Sequence, residues 1–466
     1  MAQQAYTLLL RIFSPFIWAW MAWRGHKAGG VWQIFCAERF GSYPLRWDGE
    51  APVWIHAVSL GETRAAQSLI TLLLSQGNRI LLTHTTPTGR TEGARLFAAE
   101  IASGQLRQQW LPYDFPGATR KFFAHYRPRL ALLIEREVWP NLIEQACLAD
   151  VPVVLVSARF SERAKGHVRR IDQLFISLMR DTYASIDLAL AQTEDDARRL
   201  YEIGAPNVQV VGNVKFDVQL PVVAVEAGRS WRERLGRPTI AIASTREGED
   251  AMFVPAIQQR LLHKDSVITD YHVQLDPVEM PATAPLFLLI PRHPQRFDEA
   301  ASLLEAERVK YVRWSTIRHN VDAPHELAQV EVVLCDTLGE MPFFYAASDV
   351  AIVAGSFAPH GGQNLIEACA LGTPVIVGPF TRNFADAVDG AVAVGAAIQI
   401  VSSELVDPAQ RAVATAVSWL QEPEALANRG RLGRDWVAQH TGATQRIVQQ
   451  LNEFEAARDQ SSRRPH

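Results

Sequence analysis

Short apolar runs alternate with helix-like segments through most of this 466-residue chain. The segments between most runs place apolar residues at helical spacing. Strands of a parallel sheet are buried on both faces, so they read as continuous apolar runs, and helices connect them. This alternation predicts the α/β class, with doubly wound parallel sheets.

The runs form two series, which predicts two α/β domains. The first series comprises residues 53–58, 79–83, 129–134, 152–156, 188–191 and 208–211. The second comprises residues 239–243, 286–290, 332–334, 350–353 and 374–377. Residues 220–228 are interpreted as a linker, which gives predicted domains of 49–222 and 223–466 behind an N-terminal segment of 1–48. Ligands of such sheets bind beyond the carboxyl ends of the strands, so we expect a cleft there.

Charge and cysteine content exclude several classes. The net charge is -4 and the isoelectric point about 6.4, which argues against a general nucleic-acid binder. The four cysteines form no C-x-x-C pair and no cluster with histidine, which argues against a zinc site or a disulfide framework. A reducing compartment fits this pattern.

The N-terminal segment is the most apolar part of the sequence. Residues 5–23 read AYTLLLRIFSPFIWAWMAW, interrupted by Arg11 and Pro15, so neither a spanning helix nor a signal peptide fits well. Its tryptophans prefer the membrane–water interface, and basic residues that suit anionic headgroups follow it. These are Trp18, Trp20, Trp23, Arg24, Lys27 and Arg39. We predict a membrane anchor, with a single span and a helix packed on the protein's own core as alternatives.

A glycine-rich loop after residues 350–353 is typical of a ligand site. The loop ends in Gly361-Gly362, and a short helix is predicted to start near Leu365. A helix start offers unpaired N–H groups and suits an anion, while Glu367 could accept hydrogen bonds from sugar hydroxyls. This pattern predicts a sugar-nucleotide pocket. The alternative is that Asn364 and Glu367 only cap the helix.

Two carboxylates follow strands of the first series. Glu62 ends the motif HAVSLGE at the first strand–helix turn, and Glu135 lies in IEREVWPN after a later strand. Glu62 is a candidate general base toward a hydroxyl nucleophile, or a first-turn residue that complements the helix dipole. Glu135 is a candidate for orienting an acceptor, or part of a surface salt-bridge set.

Cations also follow strands. Lys215 lies in GNVKFD and could meet a carboxylate or phosphate, or be an ordinary loop lysine. Arg292 lies in PRHPQRF directly after the run LFLLI, where it could grip a phosphate or stack on a base. The motif DTLGE, residues 336–340, could line the nucleobase side of a pocket.

Taken in order, the motifs resemble one family. HAVSLGE, LPYDFP, IEREVWPN, GNVKFD, ASTREGE, PRHPQRF, DTLGE and GGQNLIE are similar to those of the 3-deoxy-D-manno-octulosonic acid (Kdo) transferases, which are GT-B glycosyltransferases. The resemblance runs from the N-terminal anchor almost to the C-terminus. It implies two Rossmann-like domains facing a cleft, and inverting transfer of Kdo from CMP-Kdo to the tetraacyl lipid A precursor (lipid IVA). It also implies no required metal or cofactor, and a place at the cytoplasmic face of the inner (plasma) membrane.

The resemblance also assigns residues. Glu62 would be the catalytic base in an acceptor-binding first domain, and Glu135 the second functional carboxylate. The CMP-Kdo-binding second domain would hold CMP through Arg292, His293, Leu338, Gly339, Glu340, Asn364, Leu365, Ile366 and Glu367. Acceptor phosphates could meet a basic set that otherwise forms a solvated face. The set comprises Arg159, Arg163, Lys165, Arg169 and Arg170.

Departures from the family leave alternatives. Gln363 stands where the family usually has His, Ser157 and Ala164 replace the more usual Asn and Ser, and residues 263–285 resemble an insertion. The main alternative is another GT-B enzyme, a transferase or epimerase acting on a UDP-sugar. A non-catalytic membrane-bound scaffold is disfavoured because Glu62 and Glu135 are both present. No G-x-G-x-x-G follows the first strand, which argues against a dehydrogenase.

Overall fold

The chain folds into two compact units, each built on one parallel sheet. The computed structural model describes residues 2–27, 32–44, 47, 49–160, 173–218, 220–262, 283–319, 327–401 and 407–462. One unit comprises Met1–Asp217 with His440–His466, and the other comprises Val218–Gln439. The α/β, doubly wound prediction is confirmed in both units.

The first unit contains a seven-stranded sheet in the order β3-β2-β1-β4-β5-β6-β7. Its strands are β1 (Val53–His56), β2 (Ile80–His84), β3 (Leu106–Trp110), β4 (Leu130–Ile134), β5 (Val153–Ala158), β6 (Leu188–Ala191) and β7 (Val208–Val210). All pairings are parallel, and Val53 of β1 lies beside Ile80 on one side and Leu130 on the other. The carboxyl ends of these strands therefore meet at one edge.

Helices cover both faces of this sheet. Those described are α1 (Ala2–Lys27), α2 (Leu60–Ala65), α3 (Gln67–Ser75), α4 (Pro87–Leu96), α5 (Ala98–Ala102), α6 (Pro116–Tyr126), α7 (Pro140–Leu148), α8 (Gln173–Ala184) and α9 (Glu194–Ile203). Val53 and Ile55 pack into one apolar core, while Trp54 between them packs into the core on the opposite face. This alternation is the two-residue period of a strand, so burial on both sides requires the continuous apolar run.

The second unit repeats this plan in the order β10-β11-β9-β8-β12-β13-β14. Its strands are β8 (Thr239–Thr245), β9 (Leu286–Pro291), β10 (Tyr311–Arg313), β11 (Val332–Leu334), β12 (Val350–Val353), β13 (Val375–Val377) and β14 (Ala397–Gln399). Its helices are α10 (Val222–Leu235), α11 (Glu249–Leu262), α12 (Phe297–Ala306), α13 (Trp314–Ile317), α14 (Met341–Ala346), α15 (Ile366–Leu371), α16 (Ala385–Ala393), α17 (Pro408–Trp419) and α18 (Pro423–His440). Residues 220–228, interpreted above as a linker, mostly form the start of α10.

The C-terminal helix α19 (Ala443–Ser462) differs from the predicted boundaries, which placed all of residues 223–466 in the second domain. Ala443, Ile447 and Leu451 are buried in the core of the first unit. The carboxylate of Asp217 accepts hydrogen bonds from the N–H groups of Gly442 (2.6 Å) and Thr444 (2.5 Å) at the helix start. The chain therefore returns to the first unit because this helix buries its apolar face there.

Candidate active site

Glu62 lies at the carboxyl end of the first sheet, in the first turn of α2. Its Oε2 accepts a hydrogen bond from the N–H of Val58 (2.6 Å), and its Oε1 accepts a longer one from the Ser59 hydroxyl (3.4 Å). Ser59 in turn accepts from the N–H of Glu62, as in a helix cap. The first-turn interpretation is thus observed, and the carboxylate retains acceptor capacity for a substrate hydroxyl.

The surroundings of Glu62 favour its protonated form. Burial raises the pKa of this carboxyl, and the neighbouring carboxylates of Glu135 and Glu137 raise it further. The N–H of Val58 and the ammonium of Lys215 oppose this effect, and the resulting pKa is about 7. A carboxylate with a pKa near the working pH can both accept and release a proton, as a general base requires.

Glu135 follows β4 and forms an ion pair across the sheet edge. Its Oε1 lies 2.5 Å from Nζ of Lys215, and both side chains are largely buried, at 14% and 20% exposure. The backbone of Glu135 has a φ of 61°, a conformation that is uncommon for a residue with a side chain. Such strain is often found at functional sites. The structure therefore brings together Glu62, Glu135 and Lys215, which are far apart in sequence.

A ladder of polar side chains holds Lys215 in place. Asn213 accepts from the N–H of Lys215 (2.9 Å) and donates its amide to Gln192 (2.9 Å). Gln192 donates to the carbonyl of Ser157 (2.9 Å), at a bulge where β5 ends. Sequence analysis missed Gln192, although it directly follows β6 and carries the same signal as the other strand-end residues.

The histidines beneath this edge are structural. His56 is fully buried, and Nδ1 lies 2.9 Å from the Thr83 hydroxyl, which also accepts from Trp54. Burial and the nearby His84 lower the pKa of His56 to about 3. Burial likewise lowers the pKa of His84 to about 4, so both rings are neutral at physiological pH. A proton acceptor at this edge is therefore better sought among the carboxylates.

The second unit carries a cationic group at the carboxyl edge of its own sheet. Arg292 and His293 follow β9, and the N–H of Arg292 donates to the carbonyl of Thr245 at the end of β8 (2.9 Å). Burial lowers the pKa of His293, the neighbouring guanidinium groups of Arg246 and Arg292 lower it further, and Glu247 opposes them. Concentrated positive charge at this edge suits a phosphate.

The predicted DTLGE residues flank a turn into α14. Leu338 is 64% exposed, and Gly339 has a φ of 87°, a conformation that glycine adopts without steric cost. The carboxylate of Glu340 accepts hydrogen bonds from the Thr337 hydroxyl and from the Trp314 indole (3.2 Å). Its side chain is therefore fixed by its own unit.

The predicted residues at the start of α15 include a helix cap. Oδ1 of Asn364 accepts from the N–H of Ile366 (3.0 Å), and its amide donates to Glu367 (3.4 Å). The capping interpretation is thus observed for Asn364. Leu365 and Ile366 are completely buried, so their side chains cannot contact a ligand. Glu367 and Arg292 both act electrostatically on the buried Tyr345, the first raising and the second lowering its pKa, so these two predicted residues share one neighbourhood.

A buried carboxylate shapes the glycine-rich loop. Glu249 is fully buried and accepts from four backbone N–H groups, those of Arg246 (2.8 Å), Gly355 (2.6 Å), Phe357 (2.8 Å) and Ala358 (3.1 Å). Gly355 has a φ of 72°, and a Cβ there would lie 2.7 Å from Cγ of Gln363. Sequence analysis quoted Glu249 only as part of ASTREGE and gave it no role.

Some predicted features lie outside the described residues. Of the basic set, Arg159 is described, whereas Arg163, Lys165, Arg169 and Arg170 are not, and most of residues 263–285 also lie outside. Within the described part of the chain, no three His, Cys, Asp or Glu side chains are grouped closely enough to hold a metal ion.

Comparisons with known proteins agree on one family. The profile described as "3-Deoxy-D-manno-octulosonic-acid transferase (kdotransferase)" matches residues 36–218. The 3-deoxy-D-manno-octulosonic acid transferase of Bordetella pertussis is 50% identical over 97% of this chain and 100% of its own length. The 3-deoxy-D-manno-octulosonic acid transferase of Haemophilus influenzae is 30% identical over 96% of this chain and 98% of its own length. A crystal structure of UDP-GlcNAc 2-epimerase from Neisseria meningitidis is 15% identical, covers 86% of this chain and 100% of its own, and has a TM-score of 0.53, which shows a shared fold.

Proposed function

Because this chain belongs to the Kdo transferase family and transfers Kdo in lipopolysaccharide biosynthesis, we propose that its donor is CMP-Kdo and its acceptor lipid IVA. We assign the acceptor to the first unit and the donor to the second. Glu62 is the catalytic base and Glu135 the carboxylate that acts beside it. The motifs that carry these residues resemble those of the family, which supports the assignment.

The observation that carries this proposal is the environment of Glu62. Its pKa of about 7 suits a base that takes the proton of a sugar hydroxyl at neutral pH. In the proposed step, the hydroxyl oxygen bonds to the anomeric carbon of Kdo while Glu62 takes its proton. The bond from that carbon to the phosphate oxygen of CMP breaks with inversion, and CMP leaves as the monophosphate.

The donor side of the proposal rests on charge and backbone geometry. Arg292 and His293 face the phosphate of CMP, and Leu338, Gly339 and Glu340 lie along its nucleoside. At α15, Asn364 and Glu367 contribute side chains, whereas Leu365 and Ile366 form the buried turn that places them. A cationic strand end suits a single phosphate.

We also propose that the protein acts at the cytoplasmic face of the inner membrane. The helix α1 includes a segment, Ala2–Trp23, that is long and apolar enough to cross a membrane by length and composition, with a mean hydropathy of 1.3. A lipid acceptor with acyl chains must be met at a membrane surface. Localisation of α1 there brings the first unit to its substrate.

Mass spectrometry of the reaction product tests the proposal. Purified full-length protein is incubated with freshly generated CMP-Kdo and lipid IVA, and the expected product is heavier by one or more Kdo residues. The spectrum also gives the number of residues added. No product from folded protein and intact acceptor would contradict the assignment, and product formed from UDP-sugars instead would establish the alternative GT-B activity.

A further inference from the structure

The N-terminal helix is fastened to the first unit at its first two turns. The Tyr6 hydroxyl donates to Oδ2 of Asp114 (2.9 Å), while Gln3 and Thr7 donate to Oδ1 of Asn141 (2.8 and 2.9 Å). Asp114 also accepts a hydrogen bond from the N–H of Asn141, which lies in the first turn of α7. Asp114 and Asn141 are buried, at 9% and 0% exposure. We call these five residues the polar lock.

Trp18 makes a second attachment farther along α1. Its ring contacts Phe35, Phe40, Tyr113 and Phe115, with centroid separations of 5.5 to 6.2 Å. The helix rises 1.5 Å per residue, so Gln3 and Trp18 lie roughly 22 Å apart along its axis. The helix therefore rests lengthwise on the first unit over most of its length.

The attachment uses a narrow stripe. A line of shielded positions recurs at steps of three or four residues, namely Gln3, Thr7, Leu10, Ser14, Trp18, Met21 and Gly25. Such spacing places them along one line of a helix. The stripe leaves most of the helix surface uncovered by the first unit.

Large apolar side chains occupy the uncovered surface. The exposed residues are Leu8, Leu9, Ile12, Phe13, Phe16, Ile17, Trp20 and Trp23, each between 43% and 72% exposed. A contiguous apolar face of this size marks an interaction surface. We call these eight residues the open face of α1.

Chemistry on the helix selects a lipid surface as the occupant. Two tryptophans, Trp20 and Trp23, lie on the open face, and this residue type prefers the membrane–water boundary. The sequence of α1 contains no Asp or Glu, and its charged residues are Arg11, Arg24 and Lys27. Basic residues suit anionic headgroups. A second copy of the helix would bring like charges together.

The lock conflicts with a spanning orientation. A helix that crosses the bilayer is surrounded by hydrocarbon over ~20 residues. Here the buried carboxyl of Asp114 and the amide of Asn141 are hydrogen-bonded to the first two turns of α1. The first unit lies along this helix as far as Trp18. Spanning would require the helix to leave the lock or the unit to enter the hydrocarbon, where buried polar groups are costly.

We propose that α1 is an in-plane helix, held lengthwise on the first unit by the polar lock and by Trp18, with its open face in the lipid boundary. This inference deepens the membrane location proposed above and rests on it. Asn141 is the second residue of α7 and lies six residues after Glu135, which directly follows β4. The lock therefore sets how the first unit is held at the membrane surface, which makes its members positioning residues.

Depth-dependent fluorescence quenching tests the orientation. Cys36 and Cys147 are replaced by serine, and single cysteines at Leu9, Phe16 and Trp23 carry an environment-sensitive fluorophore. The full-length protein is bound to phosphatidylethanolamine–phosphatidylglycerol vesicles with nitroxides at shallow or deep acyl positions. An in-plane helix predicts equal, mainly shallow quenching at all three positions. Deep quenching at Leu9→Cys and Phe16→Cys with shallow quenching at Trp23→Cys would establish a span and overturn the inference.

Other outcomes separate this inference from the proposals on which it rests. Vesicle binding without quenching at any of the three positions would show that another surface carries the protein, and would overturn the inference. Loss of vesicle binding altogether would contradict the membrane location itself. Kdo transfer to detergent-dispersed acceptor, measured on the same labelled proteins, reports on the proposed activity independently of both.

The double variant Tyr6→Phe/Thr7→Val tests the lock. Each lost hydrogen bond is worth about 1 kcal/mol, or roughly fivefold, so we expect at least a fivefold rise in KM for vesicle-embedded acceptor. The kcat, and KM for detergent-dispersed acceptor, should stay unchanged, which a general loss of structure would not allow. A maleimide-inert Ser14→Cys thiol should become reactive in the same background. Unchanged KM and unchanged thiol reactivity would overturn the lock, and Tyr201→Phe, on the exposed surface of α9, is the matched control.

Discussion

Glu62 and Glu249 occupy corresponding places in the two units and have opposite surroundings. Each follows the first strand of its sheet and lies in the first turn of the next helix. Glu62 accepts from one backbone N–H and one hydroxyl, beside two other carboxylates. Glu249 accepts from four backbone N–H groups and is fully buried. The number of bound donors thus separates a carboxylate free to react from one that shapes a loop.

The largest expected effect is the loss of activity in Glu62→Gln. Removal of a general base lowers the rate roughly 10²- to 10⁴-fold, while the amide retains the shape of the side chain. Product formation measured by mass spectrometry should fall by this factor, while CMP-Kdo binding by calorimetry survives. The exposed Glu226→Gln in the second unit is the control. Near-normal turnover of Glu62→Gln would remove the distinction between the two glutamates.

Glu249→Gln should instead destabilise the second unit. The amide NH₂ turns toward donors, and each backbone N–H left unpaired costs about 1–3 kcal/mol. We expect a lower melting temperature and weaker CMP-Kdo binding, measured by scanning calorimetry and titration calorimetry. Glu424→Gln, at an exposed position of the same unit, should change neither. A wild-type melting temperature with lost turnover would place Glu249 in the chemistry and contradict the comparison.

Lys215→Met should move the pH dependence of the reaction. Glu62 must be ionised to accept a proton, so turnover should rise with pH through its pKa of about 7. Lys215 lowers that pKa, so its removal should shift the acidic limb of the kcat profile to higher pH. Lys215→Arg keeps the positive charge and should keep the limb in place. An unshifted limb in Lys215→Met would exclude Glu62 as the titrating group.

The smallest expected effect is a change in how the free energy of unfolding depends on pH when Glu62 is replaced by Gln. The folded state raises the pKa of Glu62 from 4.5 to about 7, so it binds this proton more tightly than the unfolded state does. The free energy of unfolding should therefore fall as pH rises from about 4.5 to about 7. Glu62→Gln lacks this contribution, so its melting temperature relative to wild type should increase over that interval. A difference that stays constant with pH would mean that Glu62 is not perturbed in the fold.

The interior of the fold could be predicted from sequence, whereas three of its four edge strands could not; the exception is β7. The central strands β1, β4, β8 and β12 are buried on both faces and were all predicted from their apolar runs. The strands β3, β10 and β14 were missed. Each lies at an edge of its sheet and is partly exposed, so its sequence lacks a continuous apolar run. The return of α19 to the first unit likewise leaves no local signal.

The candidate site divides in the same way. Glu62, Glu135, Arg292 and Asn364 could be predicted from sequence because each follows a predicted strand. The carboxyl ends of parallel strands meet at one edge of the sheet, where ligands bind. Position in the sequence does not show which of these side chains are buried or already hydrogen-bonded within the fold. Leu365 and Ile366 were predicted at the donor site, and only the structure shows that their side chains are buried. Gln192 gained its role through Asn213 and Lys215, which are distant in sequence.

Two parallel α/β units, an apolar N-terminal helix and the family of this chain can all be recognised in its sequence. Each of these depends on local periodicity or on short runs of residues. The raised pKa of Glu62, the four N–H donors of Glu249 and the polar lock that holds α1 against Asp114 became visible in the folded structure alone. Burial, hydrogen-bond saturation and charge proximity depend on residues distant along the chain, so no local pattern encodes them.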